Sequence, residues 1–397
     1  MPGSTDFKNR TWIGIARCRS DGIAIEGVVE PWSGRHDRLR ILIVDDHGPV
    51  DWLILTPEED PEEAIAKLLA RNGPRDGRPP LPEFPDGGLS IAVCTRERPD
   101  RLRSCLERMC MAVGDNYDVV VVDNAPRSDA TARVVEEFAA HGFPVRRIVE
   151  PRPGLSRARN RALAEIDTDY IAFTDDDALA DRFWPSQLHR GFSSGSAVAV
   201  VTGIVPPAQI ETESQALFER KIYKWSNKLE PRTVSMVQED GTVAYPTSTG
   251  DLGTGANFAV DRKVILGLGG FDEALGAGSL SRGGEDSEMF VRILRSGYQL
   301  RFQPAAIVWH LHTVDPRELR RIVFGYGKGL SAMTCSEFLR PGKWKMIRGT
   351  LRGAGHLAQD RRSDVALGTP PSHLFLELAG VACGPFAYAI ERVRKRH

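Results

Sequence analysis

Cysteine is scarce in this chain: six among 397 residues (Cys18, Cys94, Cys105, Cys110, Cys335, Cys383), with no pair at C-x-x-C spacing. That is too few for a disulfide scaffold and offers no zinc or redox motif, so buried free thiols in a reducing compartment are expected. Net charge is scarce as well. Lys plus Arg number 52 against 53 for Asp plus Glu, which leaves no overall basic excess for binding nucleic acid. No basic segment runs into an apolar one at the amino terminus, and no uncharged apolar run of about 18 residues occurs inside. The expectation is a cytoplasmic protein, at most peripheral to the inner face of a membrane. A Walker A motif is missing too. Gly267-Leu-Gly-Gly-Phe-Asp272 starts like a dinucleotide fingerprint but ends on Asp272 after a helical stretch, which disfavours a nicotinamide enzyme.

The length exceeds one small domain. Short apolar runs at 12–16, 23–29, 39–44 and 50–55, followed by a helical stretch at 61–70, indicate a small β-rich N-terminal domain over 1–71. Asp45 and Asp46 are read as a hairpin turn within it, not as the acidic pair of a phosphoreceiver. Residues 72–88 are dense in Pro and Gly and read as a linker. From 89 onward the continuous apolar runs LSIAVCT, YDVVVVD, VRRIVE, DYIAFTD and AVAVVTG alternate with amphipathic segments. This is the pattern of an α/β domain with a mostly parallel sheet covered on both faces, whose ligand lies at the carboxyl ends of the strands. The domain is expected to run from 89 to 313, with a strand pair near 298–308. A helical C-terminal extension follows over 314–397, in three segments. Between 316 and 362 it has eleven basic against three acidic residues. Its last segment, 378–390, is apolar, too short to span a bilayer, and followed by Arg392, Arg394, Lys395 and Arg396. Two readings stay open for it: lying against an anionic membrane, or packing onto the catalytic domain.

The residues with chemistry stand after the strands. Asp175, Asp176 and Asp177 are consecutive, and three adjacent acids repel one another unless a cation joins them. Oxygen ligands of this kind suit Mg2+ or Mn2+ bridging to phosphates, whereas a plain turn capping the next helix is the competing reading. The first strand leads into Cys94-Thr-Arg-Glu-Arg98, and the second ends in Asp123-Asn124. Gly154-Leu-Ser-Arg-Ala-Arg-Asn160 opens a helix with two arginines suited to a phosphate. Glu285 and Asp286 precede a helix expected over 289–296, whose dipole would keep a general base ionised. His310 and His312 alternate at the end of an apolar strand and are expected to face opposite sides, one of them toward the site.

The ordered segments CTRERPDRL, VVVVDNAPRSDAT, EPRPGLSRARNRAL, YIAFTDDDA, GTGANFAVDR, LGGFDEALG, GGEDSEMFVRILRSGY and VWHLH resemble the family 2 glycosyltransferases, inverting nucleotide-sugar enzymes of GT-A fold. The resemblance covers about 89–312. It implies transfer of a sugar from a nucleotide-diphosphate donor, UDP- or dTDP-linked by preference, to the hydroxyl of a glycan, lipid-linked or natural-product acceptor, with Mn2+ or Mg2+. Thr95 and Arg98 match the nucleotide-side motif, and Asp123 matches the acid that contacts the base. Asp175, Asp176 and Asp177 cover the D-x-D motif, with Asp175 toward the ribose and Asp177 on the metal. The helix-start arginines, Arg159 among them, would stabilise the diphosphate. Asp286 matches the catalytic base, Glu285 a group supporting it or touching acceptor hydroxyls, and Asn257 a residue lining the sugar pocket. His310 matches a metal ligand, with His312 the other candidate. A sugar nucleotidyltransferase would need a Gly-rich first loop and a Lys where Cys94-Thr-Arg-Glu-Arg98 stands. A non-catalytic carbohydrate-binding or nucleotide-sugar-binding protein would be expected to lose the acids.

Overall fold

Apolar residues alternating in the first 55 positions build a four-stranded sheet from β1 (Thr11–Arg19), β2 (Gly22–Gly27), β3 (Arg38–Asp45) and β4 (Gly48–Leu55), in the order β2-β1-β3-β4. Asp46 and His47 form the turn between β3 and β4. The computed structural model describes residues 7–72, 88–113, 117–236, 252–340 and 369–394. Nearly all of the expected linker lies outside these. Helix α1 (Pro61–Asn72) covers one face of the sheet, with Ile65 and Leu68 packed on Trp12, Ala16, Ile41, Ile43 and Leu55. Because strand side chains alternate, Ile13, Ile15, Leu42 and Val44 point the other way, into one core with Ile204, Ile307 and Trp309 of the large sheet. The small unit is therefore fused to the larger one. Arg40 shares that inward face, where its Nη1 donates to Glu219 at 2.6 Å, and the Trp52 indole donates to the Ser226 carbonyl at 2.8 Å.

The large sheet contains β5 (Leu89–Thr95), β6 (Val119–Asn124), β7 (Val145–Glu150), β8 (Tyr170–Asp175), β9 (Ala178–Ala180), β10 (Val198–Ile204), β11 (Arg232–Val234), β12 (Asn257–Asp261) and β13 (Gln299–His310). Its order is β11-β13-β10-β12-β8-β5-β6-β7, with β9 paired to β13. The pairings make β5, β6, β7, β8, β10 and β13 run in one direction and β9, β11 and β12 in the other. β5 and β6 are buried along their whole length. On one face α2 (Pro99–Val113), α3 (Ala130–Ala140) and α5 (Trp184–Phe192) cover Ile91, Val93, Val119 and Val121; on the other α4 (Leu155–Glu165) and α8 (Glu285–Arg295) cover the alternate residues. Coverage on both sides is why these strands are continuous apolar runs. α6 (Glu213–Ile222) and α7 (Arg262–Gly267) complete this part.

Three local expectations are corrected. The strand pair near 298–308 is one strand, β13, whose register with β10 jumps between Phe302 and Ile307 around Pro304, a residue with no N–H for the ladder. α8 starts at Glu285, four residues early, because Gly284 adopts the left-handed conformation (φ 87°) and caps it. The last helix, α10 (Pro371–Arg394), has 24 residues, long and apolar enough by length and composition to cross a bilayer. Its reach was underestimated because Gly, Cys and Pro dilute the apolar pattern. α10 packs on α9 (Pro316–Phe338) with backbones in contact: a Cβ on Gly380 would meet the Phe324 carbonyl at 2.2 Å, and one on Gly384 the Lys328 carbonyl at 2.4 Å.

Burial raises the pKa of Glu219, but the hydrogen bond from His312 and the charge of Arg40 outweigh it and hold the carboxyl below its ordinary 4.5. Arg40→Met should therefore lower unfolding free energy by about 3 kcal/mol in urea denaturation, since it strands a buried carboxylate. A depressed folded pKa means the native pair stabilises above about pH 4.5, and its contribution disappears as pH falls through the lowered value.

Candidate active site

Parallel register sets the site's first row. Cys94 lies opposite Asp175, Thr95 opposite Asp123, and Asn124 opposite Glu150, so four strands end at one level. Thr95 Oγ1 donates to Asp176 at 2.6 Å, and Arg98 reaches Asp176 at 3.2 Å and Asp177 at 3.5 Å. Arg101, one turn further along α2, donates to Asp177 Oδ2 at 2.6 Å. Its i,i+3 spacing from Arg98 is the sequence signal that places both guanidiniums on one side. Asp123 is fully buried; Arg147 holds its Oδ2 at 2.9 Å, while Oδ1 is buried without a hydrogen-bond partner. Of the four non-glycine residues with positive φ among the described residues, Glu97 (54°), Ala125 (50°) and Arg282 (63°) sit in loops around this crevice. Such strain persists where surrounding contacts over-determine the backbone, commonly at functional sites.

The acids lack enough cations nearby. Asp175 keeps 31% of its side chain open to the crevice, yet the protein packed behind it outweighs Arg159 and, with Asp177 and Asp176 alongside, pushes its carboxyl up to about 8. Burial and Asp177 likewise raise Asp176, against Arg98 and the Thr95 hydroxyl. A divalent cation joining these oxygens would relieve both.

Pairing of β13 with β9 sets His310 opposite Ala178, and the Leu311 N–H donates to the Asp177 carbonyl at 2.9 Å. His310 Nε2 then stands 3.4 Å from Asp177 Oδ1, and its Nδ1 lies 2.9 Å from Nδ1 of His312. The expectation that the two histidines face opposite sides is corrected: residues two apart along a strand share a face, and these rings meet. His312 Nε2 is 3.2 Å from Glu219. The ionised Glu219 can only accept, so His312 donates to it from Nε2, which leaves Nδ1 to face His310. His310 in turn donates from Nδ1 and turns an Nε2 lone pair toward Asp177. Two acceptors facing each other at this distance suit a cation between them, and burial, which brings His310 down to about 4, keeps its ring neutral. Asp177 and His310 thus offer donor chemistry that fits a metal ion.

The second row comes from α8 and the loop before β12. Gly255 N–H donates to Asp286 Oδ2 at 2.7 Å, and Ser287 N–H to Oδ1 at 2.6 Å. Arg159, 1% exposed, donates to Glu285 at 2.9 Å and to the Gly255 carbonyl at 2.9 Å, and lies 3.9 Å from Asp175. Burial and Asp286 raise the Glu285 carboxyl against the pull of Arg159. Gly255 has no room for a side chain: its Cβ would lie 2.8 Å from Arg159 Nη2 and 3.1 Å from Asp286 Oδ2.

Two expected contacts are corrected. Arg159 is committed to protein oxygens and is not presented to a phosphate; Arg157 pairs with Glu273 at 3.1 Å. Asn257 lines no pocket. It is fully buried, donating to the carbonyls of Ile204 and Ala306 at 2.8 Å each and accepting from the Trp184 indole at 2.7 Å, which uses its amide inside the sheet. Conversely, Tyr326 has no local sequence signal. This α9 residue packs against Phe218 and Trp225, and burial together with the charges of Asp286, Asp175 and Asp177 drives its phenol pKa up. The Trp225 indole N–H beside it is buried without a partner.

A family model described as glycosyl transferase family 2 matches residues 90–258, which carry Thr95, Asp123, Arg159 and the aspartate triplet. Residues 90–258 belong to glycosyl transferase family 2. The chain is 27% identical over 202 residues to the "Probable glycosyltransferase YdaM" of Bacillus subtilis (strain 168), covering 49% of this chain and 43% of that protein. It is 28% identical over 203 residues to the pre-mycofactocin glycosyltransferase of Mycobacterium tuberculosis (strain CDC 1551 / Oshkosh), covering 50% and 38%. The matches thus span less than half the length of either relative. Among solved structures, mannosyltransferase PcManGT from Pyrobaculum calidifontis, in complex with GDP-Man and Mn2+, superposes with a TM-score of 0.50 at 16% identity, covering 79% of this chain and 89% of that one. At that identity the likeness bears on the fold, a glycosyltransferase GT-A fold. Asp286, Glu285 and both histidines lie beyond the matched span.

His312→Phe keeps a ring beside Phe218 but removes the acceptor for His310 Nδ1–H. Calorimetry should show Mn2+ affinity weakened about 10-fold or more, with a lower melting temperature because Glu219 also loses its His312 donor.

Proposed function

We propose that the chain is an inverting glycosyltransferase that moves a sugar from a nucleotide-diphosphate donor to an acceptor hydroxyl, with Asp286 as general base. The observation that supports this best is the environment of Asp286. It is half-buried at the start of α8, oriented by two backbone N–H groups, while the neighbouring Glu285 is locked by Arg159. The positive end of the helix favours its ionised form. An acceptor hydroxyl beside Asp286 would lose its proton as its oxygen attacks the anomeric carbon, and the nucleoside diphosphate departs from the opposite side. One displacement with one base inverts that carbon.

On the donor side, Asp177 and His310 would hold Mn2+ or Mg2+, and Asp175 would face the ribose. When bound, the ion supplies positive charge to the diphosphate. Thr95 and Arg98 act at one remove in this reading, holding Asp176, and Arg101 adds charge beside Asp177. The unpartnered Oδ1 of Asp123 is an acceptor that an imide N–H of uracil or thymine would satisfy, which favours UDP- or dTDP-sugars. Glycan, lipid-linked and natural-product acceptors all fit. So does a cytoplasmic position at the inner face of a membrane, with the small sheet, the catalytic unit and the helical extension as its three parts. Release of nucleoside diphosphate on adding an acceptor separates this activity from nucleotidyl transfer and from binding alone.

Asp286→Asn should abolish transfer and leave nucleotide-sugar affinity, read by thermal shift with Mn2+, close to that of the parent; turnover in the variant would exclude Asp286 as the base. Metal uptake has its own sign. Because Asp175 holds a proton up to about pH 8, bringing a divalent ion to the triplet displaces it below that pH. Calorimetry in buffers of different ionisation enthalpy should show proton release, with Mn2+ affinity rising as pH approaches 8 and levelling above it.

A further inference from the structure

Helix α10 has two unlike faces. One is tied to the rest of the protein along most of its length: Glu377 pairs with Lys221 at 2.7 Å, Tyr388 donates to Asp272 at 2.8 Å, Glu391 accepts from the Leu280 N–H at 3.4 Å, and Gly380 and Gly384 touch the α9 backbone. The other face exposes Phe375 (71%), Leu378, Phe386 (73%), Ile390 and Val393, with Ala382, Cys383 and Ala389 between them. Phe375, Leu378, Ala382, Phe386, Ala389 and Val393 recur at intervals of three and four. They form one uncharged stripe about 27 Å long at the rise of an α-helix.

We infer that this stripe is a docking surface for an anionic lipid membrane, with α10 lying in the plane of the interface. The polar ties at Glu377, Tyr388 and Glu391 decide against a crossing helix, because threading α10 through a bilayer would break all three. Its width decides against a second copy. A single helix about 10 Å across offers about 270 Å2, well short of the roughly 800 Å2 per partner of a stable dimer. Charge points to an anionic surface. Exposed Arg392 and Arg394 close the stripe, and the sequence continues with Lys395 and Arg396. Basic clusters of this kind beside an apolar helix face are attracted to anionic headgroups.

Docking would also orient the catalytic turn. A Cβ on Gly284 would meet the Gly329 carbonyl of α9 at 2.6 Å, so the helix pair and the Gly283-Gly284 turn that presents Asp286 move as one body. This surface refines the peripheral contact of the proposed function and is tested without a sugar donor, so its failure would leave the transfer reading standing.

The test is flotation of the full chain with phosphatidylcholine vesicles, with and without phosphatidylglycerol, for the parent and for Phe375→Glu combined with Phe386→Glu. Parent protein should float with the phosphatidylglycerol vesicles. The double variant should lose about tenfold or more of that partitioning while its melting temperature and light-scattering mass stay those of the parent. No flotation of the parent, equal flotation without phosphatidylglycerol, or undiminished flotation of the variant would overturn the inference. So would a parent dimer that the variant splits, which would make the stripe an interface between copies.

Discussion

A single buried guanidinium holds the two halves of the site together. Arg159 comes from α4 and reaches the Gly255 carbonyl before β12, Glu285 at the start of α8, and, more distantly, Asp175 at the end of β8. Almost nothing of it meets water, so its charge is compensated only by these oxygens and by the rings of Phe258 and Phe271, 5.1 and 5.6 Å from it. A charge so placed tolerates little displacement of its partners, because each lost contact leaves it less compensated in a poorly polarisable interior. The spacing between the acids at 175–177 and the pair Glu285 and Asp286 is thereby set by one residue.

Both chain extensions act on the same centre. From the amino-terminal side, Arg40 meets Glu219, Glu219 meets His312, and His312 meets His310 beside Asp177. Each link sets the hydrogen-bonding role of the next, so the small sheet fixes which imidazole nitrogen faces the acids. From the carboxyl-terminal side, Gly329 allows α9 against the turn before Asp286, and Tyr326 brings a buried phenol within the field of Asp286, Asp175 and Asp177. The segments on either side of the family 2 region are parts of the site.

Much of this was legible in the sequence, for reasons that are local. The buried parallel strands announced themselves as apolar runs, and residues directly following such strands must gather at one edge, which placed Thr95, Asp123 and Asp175 together. What was not legible depends on contacts distant in sequence. Nothing around Asn257 distinguishes an amide lining a pocket from one satisfying the carbonyls of Ile204 and Ala306, and nothing around Arg159 reveals that Glu285, 126 residues away, claims it. Tyr326 belongs to a helix with its own local pattern, and only tertiary packing brings it to the acids. The histidine pair is different, since the period-two rule already places both rings on one side.

The charge balance of the protein's own groups supports the proposed divalent ion. Asp175, Asp176, Asp177, Glu285 and Asp286 converge, and the guanidiniums that face them are Arg98, Arg101 and Arg159. Five carboxylates against three guanidiniums leave a formal deficit of two positive charges. The metal-free protein meets it with protons, which is why Asp175, Asp176 and Glu285 all bind theirs more tightly than a free carboxyl does. A divalent ion between Asp177 and His310 would meet the same deficit without protons and release Asp175 to accept hydrogen bonds as a carboxylate. Arg98 and Arg101 also lie within 4.0 and 3.9 Å of Glu318 at the start of α9. Glu318 would give these two guanidiniums a second carboxylate if Asp177 were to hold an ion.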